Sequence, residues 1–184
     1  MYTTYTGEQV RIRPVASEAE WARITASSLE DPPGLWGPWH GASAMQVQRF
    51  AANGGLDLEQ GLTWAIEELA GNSMAGYLNL HSDLLSYWTG THLFGAWRRR
   101  GFGSEAKRLA ACFLFENLPL DTLYAVTLEG HTAAIRGLER CGMRYIGLKP
   151  AAHFSCGRHV AKLFYAISRR DWLSMDYRHV VARS

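Results

Sequence analysis

Leu93-Phe94-Gly95-Ala96-Trp97-Arg98-Arg99-Arg100-Gly101-Phe102-Gly103-Ser104-Glu105-Ala106 joins an apolar run ending near Phe94 to a helical pattern through the motif R-x-x-G-x-G. A strand, a glycine loop and a helix in that order make an anion-binding device. Glycines at 101 and 103 let the backbone turn sharply and approach a ligand closely. The helix predicted over residues 104–116 begins with N–H groups that lack intrahelical partners, and its dipole adds positive potential there. Together these features describe a pyrophosphate site, to which Arg98, Arg99 and Arg100 add charge. The motif alone also fits a glycine-rich turn with solvated arginines. The spacing is neither G-x-G-x-x-G nor G-K-[ST], which argues against dinucleotide-binding and P-loop folds and against kinase-like chemistry.

Outward from this loop the chain reads as one α+β domain over residues 1–184. Upstream, Val10-Arg11-Ile12-Arg13-Pro14 alternates like a short strand, and Ser17 with Glu20 forms a capping box opening a helix to about Leu29. Asp31-Pro32-Pro33-Gly34 breaks that helix, and Trp36, Trp39 and His40 fall in an irregular loop. A second helix is predicted over residues 44–52. Strands over 62–69, 74–81 and 84–94 with short connections then form an antiparallel meander. Downstream, Ala106, Leu109, Ala110, Phe113 and Leu114 give the 104–116 helix its apolar side. A strand over 123–128, a helix over 131–140, strand material over 144–148 and 154–168, and a helical turn within 171–178 complete the pattern.

Composition sets the class. The chain has 184 residues, 47% hydrophobic and 20% charged, enough to bury a core without disulfides or metals. No apolar run is long enough to span a bilayer and the N-terminal residues lack a signal-peptide layout, so a cytoplasmic protein with no membrane partner is expected. A net charge of +2 is too mild to argue for nucleic acid as a partner. Cys112, Cys141 and Cys156 have no metal-ligand spacing and read as small buried hydrophobes, with no metal site expected.

Four segments in order resemble the GNAT N-acetyltransferase superfamily, and its RimJ/RimL-type branch in particular. The 93–106 segment resembles its acyl-CoA loop. His131-Thr132-Ala133-Ala134-Ile135-Arg136-Gly137-Leu138-Glu139-Arg140-Cys141-Gly142-Met143 is similar to its N-x-x-S-x-x-x-L-E-K-x-G-F helix. Gly157-Arg158-His159-Val160-Ala161-Lys162-Leu163-Phe164-Tyr165-Ala166-Ile167 with Arg169-Arg170-Asp171-Trp172 resembles its closing strand and tail, and Val10 to Pro14 its first strand. The resemblance implies a mixed, mostly antiparallel central sheet with helices on both faces and with the fourth and fifth strands splayed apart. It implies acetyl-CoA as co-substrate and a primary amine as acceptor, either a protein N-terminus or a small molecule such as an antibiotic or amino sugar. A homodimer is compatible with it, as is a non-catalytic acyl-CoA-binding module.

Carried over by position, the resemblance implies that pantetheine pairs with the main chain of Leu93 and Phe94, with Gly95 as the next candidate along the chain. The pyrophosphate is then expected on the amides between Arg99 and Ser104, through Arg100, Gly101, Phe102 and Gly103, with Arg98 starting the loop. The family's helix-start asparagine is His131 here, which either bonds pantetheine or simply begins the helix. The serine that protonates the leaving thiolate in this branch is Ala134, and the tyrosine of other branches is Leu138. The glutamate position of this branch is His153, a reasonable base for an ammonium proton. His81, one of Glu67 and Glu68, and more weakly His92, are the other candidates. Trp36, Trp39 and His40 either stack on an acceptor or cover the core edge.

Overall fold

The computed structural model describes residues 3–27, 45, 56–57, 61–83, 86–155 and 157–184. The loop aromatics Trp36, Trp39 and His40, all but Met45 of the helix expected over 44–52, and Cys156 lie outside the described residues. The strands are β1 (Tyr5–Thr6), β2 (Val10–Pro14), β3 (Leu56–Asp57), β4 (Gly61–Glu68), β5 (Ser73–Asp83), β6 (Ser86–Leu93), β7 (Thr122–Leu128), β8 (Arg144–Ser155), β9 (Arg158–Ser168) and β10 (Ala182–Arg183). The helices are α1 (Glu18–Ser27), α2 (Phe102–Asn117), α3 (Thr132–Arg140) and α4 (Arg169–Leu173), with 3-10 turns at Gly95–Trp97 and Asp176–His179.

One sheet holds all these strands in the order β10-β1-β2-β4-β5-β6-β7-β9-β8, with β3 paired to β4. Every pairing is antiparallel except β6 with β7, so the sheet is mixed and mostly antiparallel, as expected. The β6–α2–β7 crossover makes that one parallel contact, since a parallel pair needs a long connection.

The start of α1 follows the capping-box reading with a variation. Ser17 Oγ accepts from the Glu20 N–H at 3.2 Å, but the Glu20 carboxylate reaches back to the Ala16 N–H at 2.8 Å. Helix α2 buries its expected face, and also Lys107, Ala111, Cys112 and Phe115. It is enclosed almost all round, packed on the sheet by one side and covered by α3, α4 and the C-terminal turn on others. Strand β8 runs on from the expected 144–148 through Pro150 and joins the strand material expected from Phe154, ending at Ser155. It is an edge strand, where proline forfeits no ladder bond, and it carries a register shift between Lys149 and His153 with Ala151 at φ 48°. The two-residue strands β1 and β10 join the chain ends, Tyr5 to Arg183 and Thr6 to Ala182. They are too short to show a period.

Two features fix the centre of the sheet. A Cβ on Gly76 would stand 2.1 Å from the His92 carbonyl oxygen and 2.9 Å from Leu93 Cα, so β5 and β6 approach there in a way only glycine permits. Glu67 is buried, 3% exposed, and its carboxylate is held by Arg11 and Arg13. Burial pushes this carboxyl up, but the hydrogen bonds from Arg13 and Arg11 outweigh it and leave it below the ordinary range.

Gly76→Ala is expected to destabilise the protein by about 1–3 kcal/mol through overpacking, read as a lower denaturant midpoint. An unchanged midpoint would contradict the close approach. Glu67→Gln is expected to cost about 2–3 kcal/mol at neutral pH, less than a fully buried pair because Arg11 is partly solvated. Because the folded-state pKa is depressed, Glu67 contributes stability above the unfolded carboxylate range and loses it as pH falls. The gap between wild type and Glu67→Gln should therefore close below about pH 4, and a gap constant with pH would refute the ion-pair account.

Candidate active site

Strand β6 pairs with β5 along its whole length, from Asp83↔Ser86 to Gly76↔Leu93. With β7 it shares only Tyr87↔Leu123 and Trp88↔Tyr124, after which β7 continues against β9. Beyond Trp88 the two strands part, and the edge of β6 over residues 89–93 carries no neighbouring strand. The Phe94 N–H donates to the Ala75 carbonyl at 3.0 Å, so alternation along the ladder turns the N–H and C=O of Leu93 into the gap. This corrects one expectation: the Phe94 N–H bonds to β5, its carbonyl accepts from the Trp97 N–H at 2.9 Å, and its ring is buried. Arg98 supplies a second correction. Its Nε donates to the Leu93 carbonyl at 2.9 Å, so it pins the strand end and leaves the Leu93 N–H as the open group.

The loop follows at once. Arg99 and Gly101 are left-handed, φ 65° and 89°, and Gly101 caps α2. The N–H groups of Ser104 and Glu105 both donate to the Gly101 carbonyl, at 3.0 and 3.2 Å. Among the described residues no main-chain carbonyl accepts from the amides of 99–103, so these are the loop amides left open to a ligand, and the Ser104 amide is not among them. The Phe102 side chain is core, tilted against Trp97 at 6.0 Å, and only its amide can serve a ligand. Arg99 and Arg100 are exposed, with the Arg100 guanidinium 5.2 Å from the Trp97 ring. Glu105 anchors the helix start by accepting from the main-chain N–H groups of Glu8 and Gln9. A Cβ on Gly103 would lie 3.4 Å from Leu93 Cδ1 and 3.9 Å from Thr91 Cγ2, which places Gly103 on the border of the gap.

Facing residues of neighbouring strands share a side of the sheet, which sorts the candidate groups. Leu78↔Thr91 and Leu80↔Thr89 look toward α2, with Leu78 and Leu80 in the core. Tyr77↔His92 and His81↔Trp88 look the other way, where the Tyr77 and His92 rings stack at 5.0 Å and Arg23 of α1 lies 4.3 Å from the Phe94 ring centroid. Trp88 meets Tyr124 at 5.2 Å and Phe164 at 6.2 Å on this second face. Phe164 shares its side with Val160 along β9, and Val160 faces His153. His81, His92 and His153 thus occupy one face, opposite α2. They are not brought together. His81 is exposed and stacked with Trp88 at the closed end of the gap, whereas His153 lies at the open end, beyond Leu128↔Lys162. Six residues of β9 separate the two levels, roughly 20 Å of strand.

His153 Nε2 is buried with no partner among the described residues. His131 stands at the N-cap of α3 without a side-chain cap bond, and its main-chain N–H donates to the Leu128 carbonyl at 3.0 Å. Only one of Glu67 and Glu68 is buried, as alternation requires, but neither suits a base: arginines hold Glu67, and Glu68 accepts from the Gly71 N–H at 2.7 Å. Burial pushes the thiols of Cys112 and Cys141 up to about 12 and about 11, which keeps both protonated and inert. Three gap residues escaped the sequence reading: Thr89, Thr91 and Lys107. The hydroxyls of Thr89 and Thr91 are buried without partners among the described residues. Lys107 is buried, and the one sign of it in the sequence is a charge inside an otherwise apolar helical stripe.

Residues 9–144 match the family model described as the acetyltransferase (GNAT) domain. The fold is similar to that of a GNAT-family acetyltransferase from Bacillus anthracis (TM-score 0.75, 18% identity, 92% of this chain and 99% of that one). It is also similar to Mycobacterium smegmatis RimJ in complex with CoA-disulfide (TM-score 0.76, 22% identity, 96% and 91%). A third likeness is to the spermidine N-acetyltransferase of Vibrio cholerae in complex with CoA and spermine (TM-score 0.73, 15% identity, 90% and 99%). A strand pair that parts beside a glycine-capped helix, together with a family match over most of its length, shows that this chain belongs to the GNAT acetyltransferases.

Proposed function

We propose that this acetyl-CoA-dependent enzyme acetylates a primary amine at a protein N-terminus, in the manner of the RimJ/RimL-type branch. The observation that carries the reading is the unpaired edge of β6 running into the unpaired amides of residues 99–103. An extended ligand with amide groups at one end and a pyrophosphate at the other satisfies both. The Leu93 N–H and the hydroxyls of Thr89 and Thr91 would meet the pantetheine arm, and the amides of 99–103 with Arg99 and Arg100 the pyrophosphate. Gly103, lacking a Cβ, keeps that path open. His131 borders it at the start of α3.

Acetyl-CoA supplies an activated acyl group; the protein's part is positioning and proton handling. The amine approaches from the face opposite α2 at the open end, where Tyr77 and His92 provide flat, half-polar contacts for a peptide end. His153 takes the amine's proton, directly or through a water, on the strength of its unpartnered buried nitrogen on that face and its place at the open end. His81, at the closed end, serves acceptor binding instead. A cytoplasmic setting fits both reactants. The likeness to a spermidine N-acetyltransferase favours a second reading, a small polyamine acceptor on the same scaffold.

Thiol release tests the proposal: with acetyl-CoA, N-terminal peptides should liberate CoA faster than spermidine or spermine. Faster release with polyamines would establish the second reading. CoA bound tightly with no release on either panel would leave a non-catalytic binding module. Gly103→Val is expected to weaken CoA binding at least about tenfold with little loss of stability, by filling the gap border. Gly101→Val should add about 1–2 kcal/mol of left-handed strain to a similar loss of affinity. Unchanged affinities by calorimetry would remove the loop assignment. His153→Ala should lower kcat at least about a hundredfold with CoA affinity unchanged, and an unaltered kcat would discharge His153 as the base.

A further inference from the structure

Lys107 sits where an apolar residue would serve the core better. It is 8% exposed, in the middle of α2, with no hydrogen bond and no carboxylate partner among the described residues. Burying an ammonium without a counter-charge is expensive, and a protein normally avoids it. Its place is defined by its neighbours on the helix. Gly103, one turn earlier on the same stripe, faces Leu93 and Thr91 across the gap border. The crossover runs α2 back along β6, so the step from Gly103 to Lys107 parallels the step from Thr91 to Thr89. Both threonine hydroxyls there are buried and have no partner among the described residues, and Thr89 is only 4% exposed.

At the two α3 positions that the resemblance aligns with the family's proton donors stand Ala134 and Leu138, neither of which carries a transferable proton. The ionisable groups around Lys107 are few. Cys141 at the end of α3 is the one that acts on it electrostatically, and its thiol is held neutral; Arg108 follows on α2, and His131 lies at the far end of α3. The facing residues of β6 and β7, Thr89, Thr91, Leu123 and Ala125, do not titrate in water.

We infer that Lys107 is a catalytic residue that meets the sulfur of coenzyme A and protonates it as it leaves. The inference rests on the acetyl-CoA reading above. When the amine nitrogen bonds to the acyl carbon, the C–S bond breaks and its electron pair stays on sulfur. The Lys107 ammonium transfers one proton to that thiolate, giving CoA thiol and a neutral lysine. The proton lost by the attacking amine leaves on the opposite face, and solvent returns one to Lys107. Burial pulls the Lys107 amine down to about 8, so it gives up a proton near neutrality far more readily than an exposed lysine.

The test needs no acceptor. Free CoA is bound to wild type and to Lys107→Met, affinity is measured by calorimetry, and thiolate absorbance is titrated against pH with the desulfo-CoA complex as the blank for protein thiols and tyrosines. In wild type the bound thiol should be at least about tenfold more acidic than that of free CoA, because a neighbouring cation favours the thiolate. In Lys107→Met that acidity should fall back to the free value or below it while CoA still binds. Binding without raised acidity, or raised acidity that survives the substitution, would overturn the inference and leave the acetyl-CoA reading intact. If CoA does not bind wild type at all, the acetyl-CoA reading fails first. Lys107→Gln, which keeps a polar end in the pocket, gives the same reading if Lys107→Met does not fold.

Discussion

Two parallel strands that share only the rungs Tyr87↔Leu123 and Trp88↔Tyr124 create the site, and everything the site can do depends on their parting there. Each strand is committed elsewhere: β6 to β5 from Ser86 to Leu93, and β7 to β9 from Thr122 to Leu128. Their twin ladders hold the inner edges apart. An unpaired strand edge in the middle of a sheet is a costly thing for a protein to keep, since buried main-chain groups normally find partners. Kept open, it becomes a template for a ligand that brings its own amides.

The split also divides the chemistry between two faces. On the α2 side lie the glycine-capped helix start, the two unpaired threonine hydroxyls and Lys107. On the other side lie His92, His81 and His153 with the aromatic rings. An acyl group held in the gap can therefore lose its thiolate toward one face and receive an amine from the other. Proton uptake from the amine and proton delivery to sulfur need not compete for a single residue. Glu67 stands apart from both, spent on holding β2 to β4 through Arg11 and Arg13.

Much of this was legible in the chain itself. The R-x-x-G-x-G loop, the long meander and the two crossover helices have strong periods and turn residues, and they lie within a few residues of where pattern reading puts them. Strand β8 ran past Pro150 because an edge strand tolerates proline, and nothing local in a sequence marks a strand as an edge. Site chemistry was harder to read because it depends on register. The loss of the Phe94 main chain to Ala75, and the use of Arg98 to hold the Leu93 carbonyl, are decided by which way each rung faces. Lys107 was passed over because one charge in an apolar stripe ordinarily snorkels to solvent, whereas here α2 is covered on nearly every side.

The central claim, that the open edge of β6 and the amides of the loop together hold coenzyme A, is tested most directly by residue-resolved amide hydrogen exchange with and without CoA. CoA should slow exchange at the Leu93 N–H and at the amides of Gly101, Phe102 and Gly103, while the Phe94 N–H, already bonded to Ala75, changes little. Bound CoA that leaves Leu93 and residues 101–103 exchanging as before, with protection elsewhere, would contradict it.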